Sequence, residues 1–259
     1  MSTSDNSETT PPRTVQEQDG GIGVEAVPGE DRLVPLVLEV FAVLCLAVIP
    51  HTVTALSVSY GEMSAYSFTF DEQCLRLIFG SLQVIAPLLT IMALSRCDWE
   101  EHGFIPVHRN VDVAWTVLLL IAGYLAVLGT LNLYSVLVEN FEEAYDDSFM
   151  PSAANATIQV SLLLIVSMIM NAVAEELAMR SYLIPKLYEL TDSKTSAVLL
   201  SSMLFGIYHM YQGSVGFVNA FTLGVVFGAW FVRFRRIWPL IAAHAVWDIV
   251  ALMPYLKFG

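Results

Sequence analysis

Long apolar runs separated by short polar breaks constrain this chain more than any other feature. They begin after residue 32 and lie near residues 33–60, 75–94, 111–138, 158–186, 197–211, 217–232 and 238–257. A helix needs about 20 apolar residues to cross a bilayer. Backbone amides in hydrocarbon need internal partners, so spanning segments are helices or parts of a closed barrel. These runs are continuous rather than alternating, which favours helices. The sequence therefore predicts an all-α, polytopic transmembrane helical bundle of about seven or eight spans.

The composition agrees with a bilayer environment and excludes two classes of protein. Hydrophobic residues make up 56% of the chain and charged residues only 14%, whereas soluble domains are about 25% charged. The net charge of −13 with only 12 Lys and Arg residues excludes a nucleic-acid partner, which requires clustered basic residues. The three cysteines, Cys45, Cys74 and Cys97, have no paired spacing. A disulfide framework or a thiolate zinc site is therefore not expected.

The chain divides by composition into three parts. Residues 1–32 are polar and acidic and are expected to be a disordered tail, because they contain too few apolar side chains to offset the entropy of ordering. Residues 33–150 are expected to hold N-terminal transmembrane helices, and residues 151–259 hold most of the ionisable groups within spans. Ten of the twelve basic residues, Arg180 among them, fall on one side of a seven-span arrangement. The positive-inside rule then predicts a multi-pass protein of the cell membrane with a cytoplasmic N-terminus and tail.

Six ionisable residues lie within the later apolar runs. An ionisable group in mid-bilayer costs about 2.5–3.5 kcal/mol on insertion scales, and such residues usually mark functional sites. Unpaired, six of them would cost on the order of 10 kcal/mol or more, so they are expected to meet in one polar pocket inside the bundle. They are Glu175, Glu176, Arg180, His209, His244 and Asp248.

Helical periodicity assigns these residues to faces. Glu176 and Arg180 are four residues apart and are expected to form an ion pair. Glu175 lies about 100° around the helix from Glu176 and is expected to remain available. Asn171, one turn earlier on the face of Glu175, is a candidate hydrogen-bond partner for it. Phe205, one turn before His209, is a candidate wall of the pocket.

The pocket residues support two kinds of chemistry, and the sequence leaves the choice open. A Glu and a His that share one water molecule deprotonate it for attack on an amide carbonyl, while a second His and a further polar group stabilise the oxyanion. Alternatively, Glu175, His209 and His244 are donors that suit a divalent metal such as zinc. The sequence contains neither a Gly-x-Ser-x-Gly elbow nor an HExxH motif, which excludes the familiar serine and zincin routes.

Two functions other than peptide hydrolysis are also compatible with these residues. Buried polar residues also hold membrane helices together, so the same set is compatible with a non-proteolytic scaffold or regulator. A proton-coupled transporter would use Glu175, Asp248 and the two histidines as a relay. The lack of an internal sequence repeat argues against the transporter.

Three ordered patterns resemble the motifs of the CPBP family of intramembrane proteases. They are Glu175-Glu176-x-x-x-Arg180, Phe205-x-x-x-His209 and His244-x-x-x-Asp248, and the resemblance covers roughly residues 158–256. The family includes type II CAAX prenyl endopeptidases and relatives linked to bacteriocin maturation and self-immunity. The resemblance implies that residues 151–259 form the catalytic core of a membrane endopeptidase, CAAX-protease-like, that cleaves a membrane-associated protein or peptide.

The resemblance also assigns roles to the residues. It implies that Glu175 activates water, that His209 holds this water, and that His244 and Asp248 line the oxyanion site. Glu176 and Arg180 would order their helix. The family is often called a metalloprotease family, but neither the residues nor the resemblance commits this chain to a metal or to an oligomeric state.

Two residues depart from the family pattern. Ser181 follows the motif arginine where the family often has Gly, and Asp248 stands where the prenyl endopeptidases tend to have Asn. An ionised carboxylate cannot donate a hydrogen bond to an oxyanion. Asp248 is therefore either protonated by burial, or it orients His244 or ligates a metal.

Overall fold

Seven helices account for most of the chain that the structure describes. The computed structural model describes residues 30–50, 52–53, 69–138 and 161–252, and within these ranges it contains no strand. The helices are α1 (Glu30–Val43, extended by a π-helical turn, Leu44–Val48), α2 (Phe70–Leu94), α3 (Arg109–Leu137), α4 (Leu162–Thr191), α5 (Lys194–Tyr208), α6 (Gly213–Phe234) and α7 (Ile237–Leu252). The chain is thus a helical membrane bundle, as the apolar runs predict.

The helices begin and end at residues whose side chains or backbone favour a boundary. Thr69 caps α2 in a reciprocal capping box with Glu72, in which the Thr69 N–H donates to the carboxylate at 2.8 Å. Ser161 and Ser193 cap α4 and α5 through their hydroxyl oxygens. Such caps satisfy backbone N–H groups that have no partner within the helix. Asp192, with φ of 49°, turns the chain in the left-handed region between α4 and α5.

The helix α4 is continuous over Leu162–Thr191. It runs as an α-helix over Leu162–Glu176, widens into a π-helix over Leu177–Leu183 and returns to an α-helix over Ile184–Thr191. The widened stretch begins directly after the two glutamates. Short π-helical stretches inside α-helices are frequent at functional sites.

The helices of the described chain agree with the predicted runs in number, but fewer of them have the length of a membrane span. Four helices of the described chain, α2, α3, α4 and α6, are long and apolar enough to cross a bilayer, while the apolar helices Leu33–Val48 and Ile237–Leu252 are shorter. The first helix begins at Glu30, inside the stretch expected to be a disordered tail. Residues 1–29, the rest of that tail, and the expected division near residue 150 lie outside the described residues.

Buried side chains from both parts of the chain form shared cores. Val84, Leu88 and Met92 of α2 pack with Tyr182 and Leu183 of α4. A second core joins Leu119 of α3 to α6 and α7. Close approach of α5 and α6 requires Gly224, because a Cβ there would lie 2.9 Å from the Cβ of Ser202.

The outer surfaces of α2 and α3 expose large apolar side chains. Phe79, Tyr124 and Leu125 are each about 60% exposed. Exposed apolar surface on this scale marks a region in contact with a membrane or a partner. On helices of this length and apolarity, it is the lipid-facing side of the bundle.

Candidate active site

The helix α4 carries three charged side chains into the interior of the bundle. Glu175 is 7% exposed, Glu176 is not exposed and Arg180 is 1% exposed. The predicted ion pair is present, with Arg180 Nη1 2.9 Å from Glu176 Oε1. The sequence prediction counted Arg180 among the basic residues on the cytoplasmic side, and this was wrong. Its charge is satisfied inside the bundle by Glu176, which is why it does not need the membrane surface.

Aromatic rings enclose the guanidinium of Arg180. Its Cζ lies 4.4 Å from the ring centroid of Phe205 and 5.7 Å from that of Phe227. A cation over an aromatic face is stabilised by the ring quadrupole, most strongly where water is excluded. Phe205, predicted as a wall of the substrate pocket, therefore also covers the buried arginine.

The imidazole of His244 connects the two adjacent glutamates. Its Nδ1 lies 2.7 Å from Glu176 Oε1, and its Nε2 lies 3.2 Å from Glu175 Oε2. The second contact is an ion-pair distance without hydrogen-bond alignment, since Glu175 Oε2 has no hydrogen-bond partner within the described chain. The two ring nitrogens point in different directions, so one ring reaches both carboxylates although these diverge from the helix. Glu176, Arg180 and His244 thus form one buried network between α4 and α7.

The other carboxylate oxygen of Glu175 accepts a hydrogen bond from a tyrosine that the sequence analysis did not single out. Tyr208 Oη lies 2.5 Å from Glu175 Oε1. Glu175 was expected to remain available, and instead it is held on two sides, by Tyr208 and by His244. Tyr208 is adjacent to His209 at the end of α5, but a tyrosine in an apolar helix carries no sequence signal for a polar contact. Only its neighbour in the motif offers a hint.

His209 stands at the C-terminal end of α5, where the helix gives way to a short 3₁₀ turn over Met210–Gln212. Its Nδ1 is 2.8 Å from the carbonyl oxygen of Phe205. Since a carbonyl only accepts, Nδ1 carries the proton in this arrangement, and a neutral ring then leaves Nε2 as an acceptor. His209 packs edge-on against Phe205 and Tyr208, which fixes the plane of the ring.

Asp248 lies at the edge of the network and is less buried than the other acidic groups. Its Oδ1 is 3.6 Å from His244 Nε2, and its Oδ2 accepts a hydrogen bond of 3.3 Å from Asn171 Nδ2. Asn171 was a candidate partner of Glu175, but the described contacts give its amide to Asp248. The reason is that α7 brings the Asp248 carboxylate to the same wall of the pocket.

Three cavities border the site, and between them they reach five of the six predicted residues, all except Glu176. The largest, about 320 Å³, is lined by Asn171, Glu175, Tyr208, His209 and Asp248 together with residues of α2. A second, about 80 Å³, is lined by Arg180, Phe205, His209, His244 and Asp248. A third of similar volume lies between α1, α2 and α4 and reaches Glu175 from the other side. Glu175 and His209 therefore share the wall of one cavity that has room for water and a peptide segment.

The residues present do not assemble into a metal site. No group of three His, Cys, Asp or Glu side chains within the described residues has the arrangement that holds a metal ion. Both nitrogens of His244, one of the three candidate ligands, face carboxylates at 2.7 and 3.2 Å. That geometry suits an orienting hydrogen-bonded histidine rather than a ligand with a bare nitrogen.

Ser181, which departs from the family pattern, has a structural role. It is fully buried, and its hydroxyl donates to the carbonyl oxygen of His102 at 2.6 Å. His102 belongs to the segment between α2 and α3, so the serine attaches that segment to α4. The departure thus lies outside the group of ionisable residues.

Comparison with known families supports the resemblance found in the motifs. Residues 157–250 match the family model described as type II CAAX prenyl endopeptidase Rce1-like. The match covers little more than a third of the chain and includes all six predicted residues. No curated protein and no solved structure matches the chain significantly. Residues 157–250 are therefore similar to the type II CAAX prenyl endopeptidase Rce1-like family, on a chain whose apolar helices make it a membrane protein.

Proposed function

We propose that this chain is an intramembrane endopeptidase that hydrolyses a peptide bond of a membrane-associated protein or peptide with a water molecule activated by Glu175. The observation that carries the proposal is the position of Glu175. Its carboxylate is buried beside Tyr208 and His244, yet it lines the same cavity as His209. A fixed carboxylate and a fixed imidazole on one cavity wall are the two groups that general-base activation of water requires.

On this proposal, each of these groups has a defined part in the reaction. Glu175 accepts a proton from a water molecule that His209 Nε2 orients by accepting its second O–H. The water oxygen bonds to the carbonyl carbon of the scissile peptide, and the carbonyl π electrons move to the oxygen. As the tetrahedral intermediate collapses, the C–N bond breaks and the proton held by Glu175 passes to the leaving nitrogen. The network of Glu176, Arg180 and His244 keeps the Glu175 carboxylate in place during these steps.

The amide of Asn171 supplies an N–H donor at this wall. It bonds to Asp248, and both residues line the large cavity with Glu175. Asp248 lies 3.6 Å from His244 Nε2, which is longer than a hydrogen bond. We therefore assign Asp248 the role of positioning Asn171, whose remaining N–H group is available to a developing oxyanion.

The experiment that tests the proposal compares peptide termini in membranes that express either the wild type or Glu175→Gln. The two proteins are expressed at equal abundance, and Glu175→Gln keeps the shape and the acceptor oxygen of the side chain while removing the base. The expected result is a set of new termini found only with the wild type. Identical termini from two folded proteins would reject peptide hydrolysis.

One observation favours the alternative, a non-proteolytic membrane scaffold. Glu176, Arg180 and His244 join α4 to α7 in a network that is buried and would hold the helices together without any chemistry. A scaffold would keep its cellular effect in the folded Glu175→Gln variant. The same pair of strains therefore separates the two functions.

A further inference from the structure

The two ends of the helical bundle differ in their basic residues. One end, called the basic end here, is where α2 ends, α3 begins, α4 meets α5 and α6 meets α7. Contacts across these connections define it: Arg236 Nε bonds Asp112 Oδ1 at 2.7 Å, and the Ile237 N–H donates to Gly103 O at 3.0 Å. The opposite end is called the cavity end. There, Tyr134 near the end of α3 donates to Ser214 at the start of α6.

Basic side chains of the described chain concentrate at the basic end. Among the basic residues whose side chains the structure describes, seven lie there, Arg76 lies in the first turns of α2 toward the cavity end, and Arg180 is in the interior. The seven are Arg96, Arg109, Lys186, Lys194, Arg233, Arg235 and Arg236. In the sequence, the segments 51–68, between α1 and α2, and 139–160, between α3 and α4, contain no Lys or Arg, and one basic residue, Lys257, follows α7.

This asymmetry determines the orientation of the bundle. Lys and Arg near short loops remain on the cytoplasmic side, and acidic residues contribute little to the rule. Glu101 and Asp112 at the basic end therefore do not weaken the signal. The rule therefore predicts that the basic end faces the cytoplasm and that the cavity end faces the opposite side of the membrane.

The large cavity lies toward the cavity end of the bundle. Phe70 and Gln73 of α2, Leu164 of α4, Gln212 after α5 and Leu252 of α7 all line it. Each of these residues lies near the helix end that faces away from the basic end. Glu175 and His209 form the inner wall of this cavity.

A layer of closely packed side chains separates the site from the basic end. Six residues of this layer are at most 2% exposed: Tyr182, Leu183, Ile184, Phe231, Ile237 and Leu240. Along α4, Glu175 is 16 residues from Thr191, a distance of about 24 Å at 1.5 Å per residue. No cavity described above crosses this layer, because their linings extend from the site toward the cavity end or sideways between helices.

The geometry points to an active site that is entered from the non-cytoplasmic side of the membrane. On this proposal, which rests on the proposed function, the substrate class is a membrane-anchored polypeptide whose scissile bond lies in the segment that emerges on that side. A polypeptide presented from the cytoplasm would have to cross the packed layer to reach Glu175.

Labelling of single cysteines in intact cells tests the orientation. Asp71 at the cavity end and Glu100 at the basic end are both exposed acidic residues outside the site, so Asp71→Cys and Glu100→Cys form a matched pair in a background that lacks Cys45, Cys74 and Cys97. A membrane-impermeant maleimide is expected to label Asp71→Cys in intact cells and Glu100→Cys only after permeabilisation. The reverse pattern, or equal labelling of both before permeabilisation, would overturn the proposal.

If a cysteine does not react even after permeabilisation, a reporter protein fused to the C-terminus of the full chain determines the orientation instead. Helix α7 ends at the cavity end, so alkaline phosphatase fused there is expected to be active and a green fluorescent protein to be dark, because the phosphatase needs disulfides that form outside the cytoplasm. A fluorescent fusion with inactive phosphatase would overturn the orientation.

Mapping the wild-type-specific termini separates this inference from the proposed function. Cleavage that depends on Glu175 and falls in segments on the non-cytoplasmic side supports both. Cleavage that depends on Glu175 but falls in cytoplasmic segments rejects the side of entry and keeps the protease. Correct topology with no Glu175-dependent termini rejects the protease and with it the substrate class, although the orientation stands.

Discussion

Glu175 is held in place by two neighbours of different chemical character. Tyr208 donates a hydrogen bond to one carboxylate oxygen, and His244 lies 3.2 Å from the other. A base that is already oriented does not have to be immobilised during the reaction, and orientation of this kind accounts for much of the advantage of an enzyme site. In the proposed reaction Tyr208 is therefore a positioning residue, since it would act through Glu175.

Replacing Tyr208 with Phe is expected to lower kcat by about 10- to 100-fold with little change in KM, because the carboxylate loses one of its two supports. The matched control is Tyr124→Phe on the lipid-facing side of α3, where the tyrosine is 60% exposed. The measurement is a cleavage assay in detergent with a substrate identified from the terminus comparison. A change in KM alone would show that Tyr208 contacts substrate rather than supports the base.

The carboxylate of Asp248 should matter for its acceptor oxygen rather than for its charge. Asp248→Asn keeps an oxygen that can accept a hydrogen bond from Asn171, so it is expected to retain activity within about threefold of the wild type. Asp248→Ala should lose activity by about tenfold or more, because a misplaced oxyanion donor lowers the rate on this order. Both are measured in the same cleavage assay. A loss in Asp248→Asn as deep as that in Asp248→Ala would show that the charge itself is required.

At the scale of the elements, hydrogen bonds stabilise the segment between α2 and α3. The buried network of Glu176, Arg180 and His244 stabilises α4 in the core. Removing one partner of a buried ion pair leaves an uncompensated charge and costs about 3–5 kcal/mol. Arg180→Gln is therefore expected to lower the melting temperature in detergent far more than Arg233→Gln, a change at the surface of α6. The double variant Glu176→Gln with Arg180→Gln should recover part of the loss. Equal melting temperatures for Arg180→Gln and Arg233→Gln would contradict the pairing of Arg180 with Glu176.

The segment between α2 and α3 contains a buried histidine that makes stability depend on pH. His102 is 5% exposed, its Nδ1 is 2.9 Å from the Asp98 carbonyl oxygen, and its Nε2 has no hydrogen-bond partner in the described chain. Burial lowers the pKa of His102 below its ordinary value. The nearby Lys186 lowers this pKa further, while the Asp98 hydrogen bond and the charges of Asp98 and Glu39 oppose the shift. The ring is therefore neutral in the folded protein at neutral pH.

The sign of the effect follows from which state binds the proton first. Below about pH 6.5 an unfolded His takes up a proton while folded His102 does not, so stability is fully present above this pH and falls as the pH decreases. The melting temperature is expected to drop between pH 7 and pH 5, and His102→Gln should flatten this dependence. His108→Gln, at an exposed position of the same segment, is the control. An unchanged slope in His102→Gln would reject the assignment.

The sequence predicts some of these elements well because membrane physics limits the choices. Apolar length alone located the helices, and the cost of burying charge brought Glu175, Glu176, Arg180, His209, His244 and Asp248 together, as they are in the structure. The π-helical stretch after Glu176 was not predictable, since its wider turn depends on packing against neighbouring helices. The hydrogen bond from Tyr208 to Glu175, and the bond from Asn171 to Asp248 instead of Glu175, were not predictable either. Both depend on distances between helices that are far apart in sequence.

At the scale of the whole molecule, the family-matching part is not an independent unit. Its helix α4 shares a core with Val84, Leu88 and Met92 of α2, and Arg236 bonds Asp112 at the start of α3 through two nitrogen–oxygen contacts of 2.7 and 2.9 Å. The large cavity also takes one wall from Phe70, Gln73 and Cys74 of α2. The N-terminal helices therefore complete both the core and the large cavity beside Glu175.

Splitting the chain near residue 150 tests this dependence. Residues 157–259 expressed alone are expected to aggregate in detergent, because they expose the surfaces that α2 and α3 cover. Co-expression with residues 1–156 should give a complex that co-purifies through a tag on either part and restores cleavage, since packed helices associate in membranes without a covalent link. As a control, Asp112→Asn in the N-terminal part should weaken co-purification by removing the charge that Arg236 requires. A monodisperse fragment 157–259 with the melting temperature of the intact chain would show that the matched part folds and builds its cavity alone.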